Sequence, residues 1–167
     1  MDKNPLITTL QGIRFLHDID PGHLEQIANI SQPCEFDEHD VVFREGQPAD
    51  DIYLVVSGKV SLQIGAGTAG CKLIVTVGPG EILGWSSLTD HPRFAATAIA
   101  TERTRMIRID GDRLQAICDS DPQFGYEFMR RTMLALAKRV TATWTQLEDV
   151  YVAHYVPITA FAAAQND

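Results

Sequence analysis

The side chains able to coordinate a metal or attack an electrophile are spread thinly along this chain. Five histidines, His17, His23, His39, His91 and His154, occur among 167 residues, and no two stand at H-x-H or H-x₃-H spacing. A jelly-roll metalloenzyme of the cupin kind needs closely spaced His ligands with a carboxylate, so it stands as the weaker alternative. Cys34, Cys71 and Cys118 form no C-x-x-C pair and are odd in number. Neither a disulfide framework nor a zinc knuckle is signalled, and a reducing cytoplasm is the simplest setting. No Ser or Cys lies in a nucleophile elbow. The sequence therefore predicts no catalytic residue, no metal and no cofactor, which is the profile of a binding module rather than an enzyme.

Bulk properties narrow the partners. A formal charge of −8 and a pI near 5.0 repel nucleic acid and anionic membrane surfaces at long range. The N-terminus has no apolar run of signal-peptide length, and nowhere do 18 apolar residues follow one another. With 45 % hydrophobic residues the chain can bury the core of one ordinary domain.

The elements that would hold a site are legible from periodicity. Ile13 and Leu16, then Leu24, Ile27 and Ala28, flank an Asp20-Pro21-Gly22 break, which predicts two short helices with Asp20 as cap and Pro21 in the first turn. From about Cys34 the period becomes two. Strand-like segments lie around Val41 to Phe43, Ile52 to Val56, Val60 to Ile64, Leu73 to Val77, Ala96 to Ala100 and Met106 to Ile109. Ile52, Leu54 and Val56 share one face, and Ser57-Gly58 leads into Val60, Leu62 and Ile64, predicting a hairpin there. The glycine-rich stretch Gly65 to Gly70 reads as a second hairpin tip. Strands about every 8 to 12 residues predict an α+β, mainly β domain: an antiparallel jelly roll with N-terminal helices.

After Gly111 the helical period returns. A short helix spans Asp112 to Cys118, and Asp121-Pro122 opens a long one, 122–151. Along it Met129, Met133, Leu136, Val140, Trp144, Leu147 and Tyr151 recur every three or four residues. Such a stripe extends over roughly 45 Å of helix, more than a small barrel covers, and predicts a homodimer seam. Arg130, Arg131, Lys138 and Arg139 flank it as a solvated face. Residues 157–167 read as a tail.

Leu16-His17-Asp18-Ile19, Phe43-Arg44-Glu45-Gly46, Ala49-Asp50-Asp51-Ile52-Tyr53-Leu54-Val55, Ser57-Gly58-Lys59-Val60 and Pro79-Gly80-Glu81 occur in the order and spacing of a known family. Over residues 6–151 the chain resembles the cyclic-nucleotide-binding domains found in catabolite-activator-like regulators, kinase regulatory subunits and channel gating domains. The resemblance implies a jelly roll with a phosphate cassette between two of its strands. In the family this cassette runs Gly-Glu, a short helix, then Pro-Arg-x-Ala-Thr. Helix N–H groups and the Arg hold the cyclic phosphate, and the Glu accepts the ribose 2′-hydroxyl.

Here the stretch reads Gly84-Trp85-Ser86-Ser87-Leu88-Thr89-Asp90-His91-Pro92-Arg93-Phe94-Ala95-Ala96-Thr97. Trp85 stands where the family has Glu. Counting back from Thr97 puts Phe94, not Arg93, at the arginine position, and a one-residue offset on a strand turns a side chain to the other face. Losing one charge-assisted hydrogen bond costs about 1.5 to 3 kcal/mol, or roughly 10- to 150-fold in affinity. The resemblance thus implies a regulatory module with weak or no binding of cyclic AMP or cyclic GMP. Three alternatives stay open: a cyclic nucleotide, a different anion held by Ser86, Ser87, Arg93 and Ala95 between Trp85 and Phe94, or an empty pocket in a dimerising adaptor. Arg93 can equally be a surface cation. Relatives contact the base from the long helix, where Thr141 and Thr143 offer hydroxyls. The residues after that helix hold no Lys or Arg and too little chain for a helix-turn-helix, so direct DNA binding is not expected.

Overall fold

The computed structural model describes residues 5–65 and 70–152, and side chains within 5–65, 70 and 72–144. Contacts divide the chain into two units, 1–135 and 136–167, with the boundary inside the last helix. The first unit opens with α1 (Pro5–Gln11), a single 3-10 turn (Arg14–Leu16) and α2 (Pro21–Asn29). Asp20 caps α2 by accepting the Gly22 N–H at 2.8 Å, with Pro21 at the first helical position, whose missing donor costs nothing there.

Eight strands follow: β1 (Ser31–Phe36), β2 (Val41–Phe43), β3 (Asp51–Ser57), β4 (Val60–Gly65), β5 (Cys71–Val77), β6 (Ile82–Leu83), β7 (Thr97–Ala100) and β8 (Thr104–Asp110). They form two four-stranded antiparallel sheets, β1-β8-β3-β6 and β2-β7-β4-β5. α3 (Gly111–Ser120) and α4 (Pro122–Val152) complete the described chain. This is the mainly β jelly roll with flanking helices that the strand spacing predicts.

One local expectation is wrong. β3 and β4 are not a hairpin, because β3 pairs with β8 and β6 while β4 pairs with β5 and β7. Between them the chain crosses from one sheet to the other at Gly58, where φ is +89° and a Cβ would lie 2.4 Å from the Thr104 hydroxyl oxygen. A two-residue link flanked by alternating apolar residues has the sequence of a hairpin, and only the other strands decide otherwise. The true hairpin joins β4 to β5, Gly65 facing Cys71, across the glycine-rich loop, of which 66–69 lie outside the described residues.

In the first sheet, β6 and the centre of β3 are buried on both faces. Ile52 and Leu54 of β3, Ile82 of β6, and Ile107 and Ile109 of β8 pack with Leu10, Leu16, Leu24, Ile27, Leu114, Phe124 and Phe128 from the helices. The alternate residues Tyr53, Val55, Leu83 and Met106 face inward, meeting Phe43, Val60, Val77, Phe94 and Ala98 between the sheets. Period-two alternation sends successive residues to opposite faces, so a strand apolar at every position requires cover on both. The inner core is where the cassette arrives.

Candidate functional site

The cassette begins at Gly84, whose φ is +79° and whose surroundings admit no side chain. A Cβ there would lie 2.8 Å from the Asp51 carbonyl and 3.2 Å from the Tyr53 ring. A left-handed residue at this point ends β6 and turns the chain into one 3-10 turn, Trp85–Leu88. Trp85 is half-buried, whereas Ser86 and Ser87 are buried. Both the Ser87 N–H (3.4 Å) and its hydroxyl (3.3 Å) donate to the Gly84 carbonyl, and the Thr89 hydroxyl donates to the Ser86 carbonyl at 2.8 Å. The turn sits directly on α3: a Cβ on Gly111 would be 2.8 Å from that of Ser87.

The second limb of the cassette runs beside the turn that follows β2. The Gly46 N–H donates to the Phe94 carbonyl at 2.8 Å, the Phe94 N–H to the Gln47 carbonyl at 3.0 Å, and the Ala49 N–H to the Pro92 carbonyl at 2.8 Å. Arg93 and Phe94 leave this ladder on opposite sides. Arg93 is exposed and its Nη1 donates to the Gly46 carbonyl at 2.7 Å. Phe94, 7 % exposed, enters the inner core and lies flat on Phe43, with ring centroids 3.8 Å apart and planes within 10°. Phe43 in turn leans on Tyr53 at 5.8 Å. Ala95 is exposed, and the Thr97 hydroxyl accepts the Glu45 N–H at 3.1 Å.

Burial, reinforced by Asp51, pushes the Tyr53 hydroxyl up to about 12. Tyr53 faces Arg108 across the β3–β8 ladder, and Arg108 donates to Gln32 at 2.9 Å and stands 3.8 Å from the Asp51 carboxylate. Burial raises the Asp51 carboxyl and the Cys34 thiol as well, with Arg108 opposing both shifts. Among the described residues no group of three His, Cys, Asp or Glu could hold a metal.

Structure thus brings Gly84, Ser87, Arg93 and Phe94 into one region, together with three residues that the sequence did not single out for the site. Phe43, Tyr53 and the Gly46 carbonyl are the partners of Phe94 and Arg93. Phe43 and Gly46 stand in the Phe43-Arg44-Glu45-Gly46 run, but pairing between residues about fifty positions apart carries no local signal. On α4, in the first unit, Tyr126, Met129, Met133 and Leu134 are exposed while Phe124 and Phe128 are buried. In the second unit Val140 and Trp144 are exposed and Leu136 is half-buried. Thr141 and Thr143 donate to the Ala137 and Arg139 carbonyls of their own helix at 3.0 and 2.9 Å. The side chains of Leu147 and Tyr151 and the tail 157–167 lie outside the described residues. No described helix is long and apolar enough to cross a membrane.

Comparison with known proteins gives the same architecture. The chain is similar to a CRP-like cAMP-activated global transcriptional regulator of Mycobacterium tuberculosis, 29 % identical over 133 residues, which cover 79 % of this chain and 57 % of the regulator. It is also similar to a cAMP-dependent protein kinase regulatory subunit of Dictyostelium discoideum, 27 % identical, covering 74 % of this chain and 38 % of the subunit. The chain thus matches only part of each of these longer regulators. Among solved structures, a cyclic nucleotide-binding protein of Geobacter metallireducens superposes with a TM-score of 0.72 at 28 % identity, covering 80 % of this chain and 96 % of that one. The family model of the cyclic nucleotide-binding domain matches residues 33–121, more than half of the chain, from within β1 through the cassette to the end of α3. On that match, and on a jelly roll whose cassette lies between β6 and β7, the chain belongs to the cyclic nucleotide-binding domain family.

Proposed function

We propose that this domain is a non-enzymatic regulatory module whose cassette holds cyclic AMP or cyclic GMP weakly or not at all. The observation that carries the reading is the exchange of places between Arg93 and Phe94. The ring stacks on Phe43 inside the barrel, and the guanidinium is spent outside on the Gly46 carbonyl. A cyclic phosphate entering the family's site would meet an aromatic ring where the cation belongs. Trp85 replaces the carboxylate that would accept the ribose hydroxyl, so both polar anchors of the nucleotide are missing together. Of the residues expected to grip a different small anion, Ser87 directs both its N–H and its hydroxyl to the Gly84 carbonyl, which leaves Ser86 and Ala95 for that role.

In this reading the module acts in the cytoplasm, without direct contact to DNA or membrane, and signals to a protein partner as a homodimer. The exposed apolar stripe of α4, Met129, Met133, Val140 and Trp144 with Leu136, supports the dimer, because a helix with a second apolar face gains by burying it on a copy of itself. Thr141 and Thr143 would lie beside that seam.

Titration calorimetry and thermal shift with cyclic AMP and cyclic GMP test the reading on the wild type, Phe94→Arg and Trp85→Glu/Phe94→Arg. A ligand at about 100 times its Kd stabilises a fold by about 2.7 kcal/mol, which a melting curve resolves readily. No shift in the wild type at submillimolar nucleotide, with binding gained in the double variant, is the expected result. Micromolar binding by the wild type would overturn it.

A further inference from the structure

We infer that Arg93 and Phe94 act as a two-sided latch, fastening the second limb of the cassette to the turn after β2. The inference rests on the reading that neither residue is occupied by a cyclic nucleotide. It goes further by assigning each a positioning role.

Three backbone hydrogen bonds tie residues 92–94 to 46–49, an isolated rung outside both sheets. So short a ladder has few neighbours to reinforce it and opens easily unless side chains hold it. The two consecutive side chains do so from opposite sides. On the inside, Phe94 is clasped by Phe43, whose own strand β2 leads directly into the turn, so one ring pair connects the two segments just where the ladder runs. On the outside, Arg93 reaches the Gly46 carbonyl, which its own ladder does not use, at 2.7 Å. Gly46 adopts φ +79°, and the turn around it closes through the Gln47 N–H to the Arg44 carbonyl and the Arg44 N–H to the Gln47 side chain. The cation therefore grips the left-handed residue of the turn. At the far end of the limb, the Thr97 hydroxyl accepts the Glu45 N–H and extends the seam into β7.

If Phe94 were only filler, its loss would loosen the molecule as a whole. If it is a latch, loss opens the limb more than the rest. Hydrogen exchange followed by mass spectrometry on the full chain separates the two, with wild type, Phe94→Leu and Arg93→Gln. Leu keeps an apolar occupant and Gln keeps a donor, so both variants should fold. Wild-type amides in 84–97 and 46–49 are expected to be protected. Phe94→Leu should speed their exchange by about tenfold or more, and Arg93→Gln by several-fold, with peptides from β3 and β8 rising much less. Wild-type exchange at the rate of free peptide, or a rise spread evenly over the whole barrel in Phe94→Leu, would overturn the latch. Calorimetric binding of cyclic AMP by the wild type would instead sink the low-affinity reading, and the exchange pattern would still decide the latch on its own.

Discussion

The two faces of the β1-β8-β3-β6 sheet carry cores of different character. On the helix side, Leu, Ile and Phe residues interlock, and Phe128 meets Phe15 edge to face at 5.3 Å with no exposed surface of its own. Inside the barrel, the core mixes rings with small residues such as Ala49 and Ala98, and its largest stacked pair, Phe43 and Phe94, borders an irregular segment. The outer core joins elements of regular structure that cannot relax independently. The inner core includes a limb held by three backbone bonds and two side chains. The two cores thus differ in how far their surroundings can give way when a ring is lost.

The sharpest way to break this contrast is to remove one ring from each core. Phe128→Ala should cost about 4 kcal/mol, in the upper range for a fully buried ring among elements that cannot collapse. Phe94→Ala should cost about 2 kcal/mol, because the 92–94 limb can move to fill part of the space. Urea midpoints at constant slope measure both, and equal losses would erase the distinction.

A smaller effect comes from Asp121, which anchors the start of α4 to the outer core. Its carboxylate accepts the Phe124 N–H at 3.1 Å and pairs with His23 at 2.8 Å, and His23 stacks on Phe124. The Phe124 hydrogen bond first, then the one to His23, holds its carboxyl below the usual range. A group whose folded pKa is depressed stabilises fully above its unfolded value, and that contribution disappears as pH falls through the folded value. Asp121→Ala should therefore be less stable than wild type at pH 7, with the gap closing in acid below the ordinary carboxylate range. A gap that stays constant through that range and below it would remove the charge from the explanation.

The smallest change in fold stability is expected at the other face of α4. Met133 is 61 % exposed, so at protein concentrations too low for dimerisation Met133→Glu should leave the unfolding free energy within about 0.5 kcal/mol of wild type. Light scattering at tens of micromolar should nonetheless show the wild type as a dimer and the variant as a monomer. A monomeric wild type would leave the stripe without the proposed partner.

Much of the frame was legible along the chain. Asp20-Pro21 and Asp121-Pro122 mark two helix starts because caps act over three or four residues, and both begin where read. Six strands were readable from alternation, but β1, which contains Pro33, and the two-residue β6 are too short or too broken to register. The offset of Arg93 against Ala96-Thr97 was visible by counting alone. What each side chain then touches was not, since Phe43 and the Gly46 carbonyl come from a turn about fifty residues earlier.

The sequence by itself determined the class of fold and the family, because periodicity, capping and motif spacing are local properties of the chain. Tertiary structure alone decided that Ser57-Gly58 is a crossing between sheets, that β3 is covered on both faces, and that Phe94 and Arg93 seize the turn after β2 from opposite sides. Those outcomes depend on which distant segments share a face, and that is fixed by closure of the two sheets around one volume, where each ring must find space that another strand leaves open.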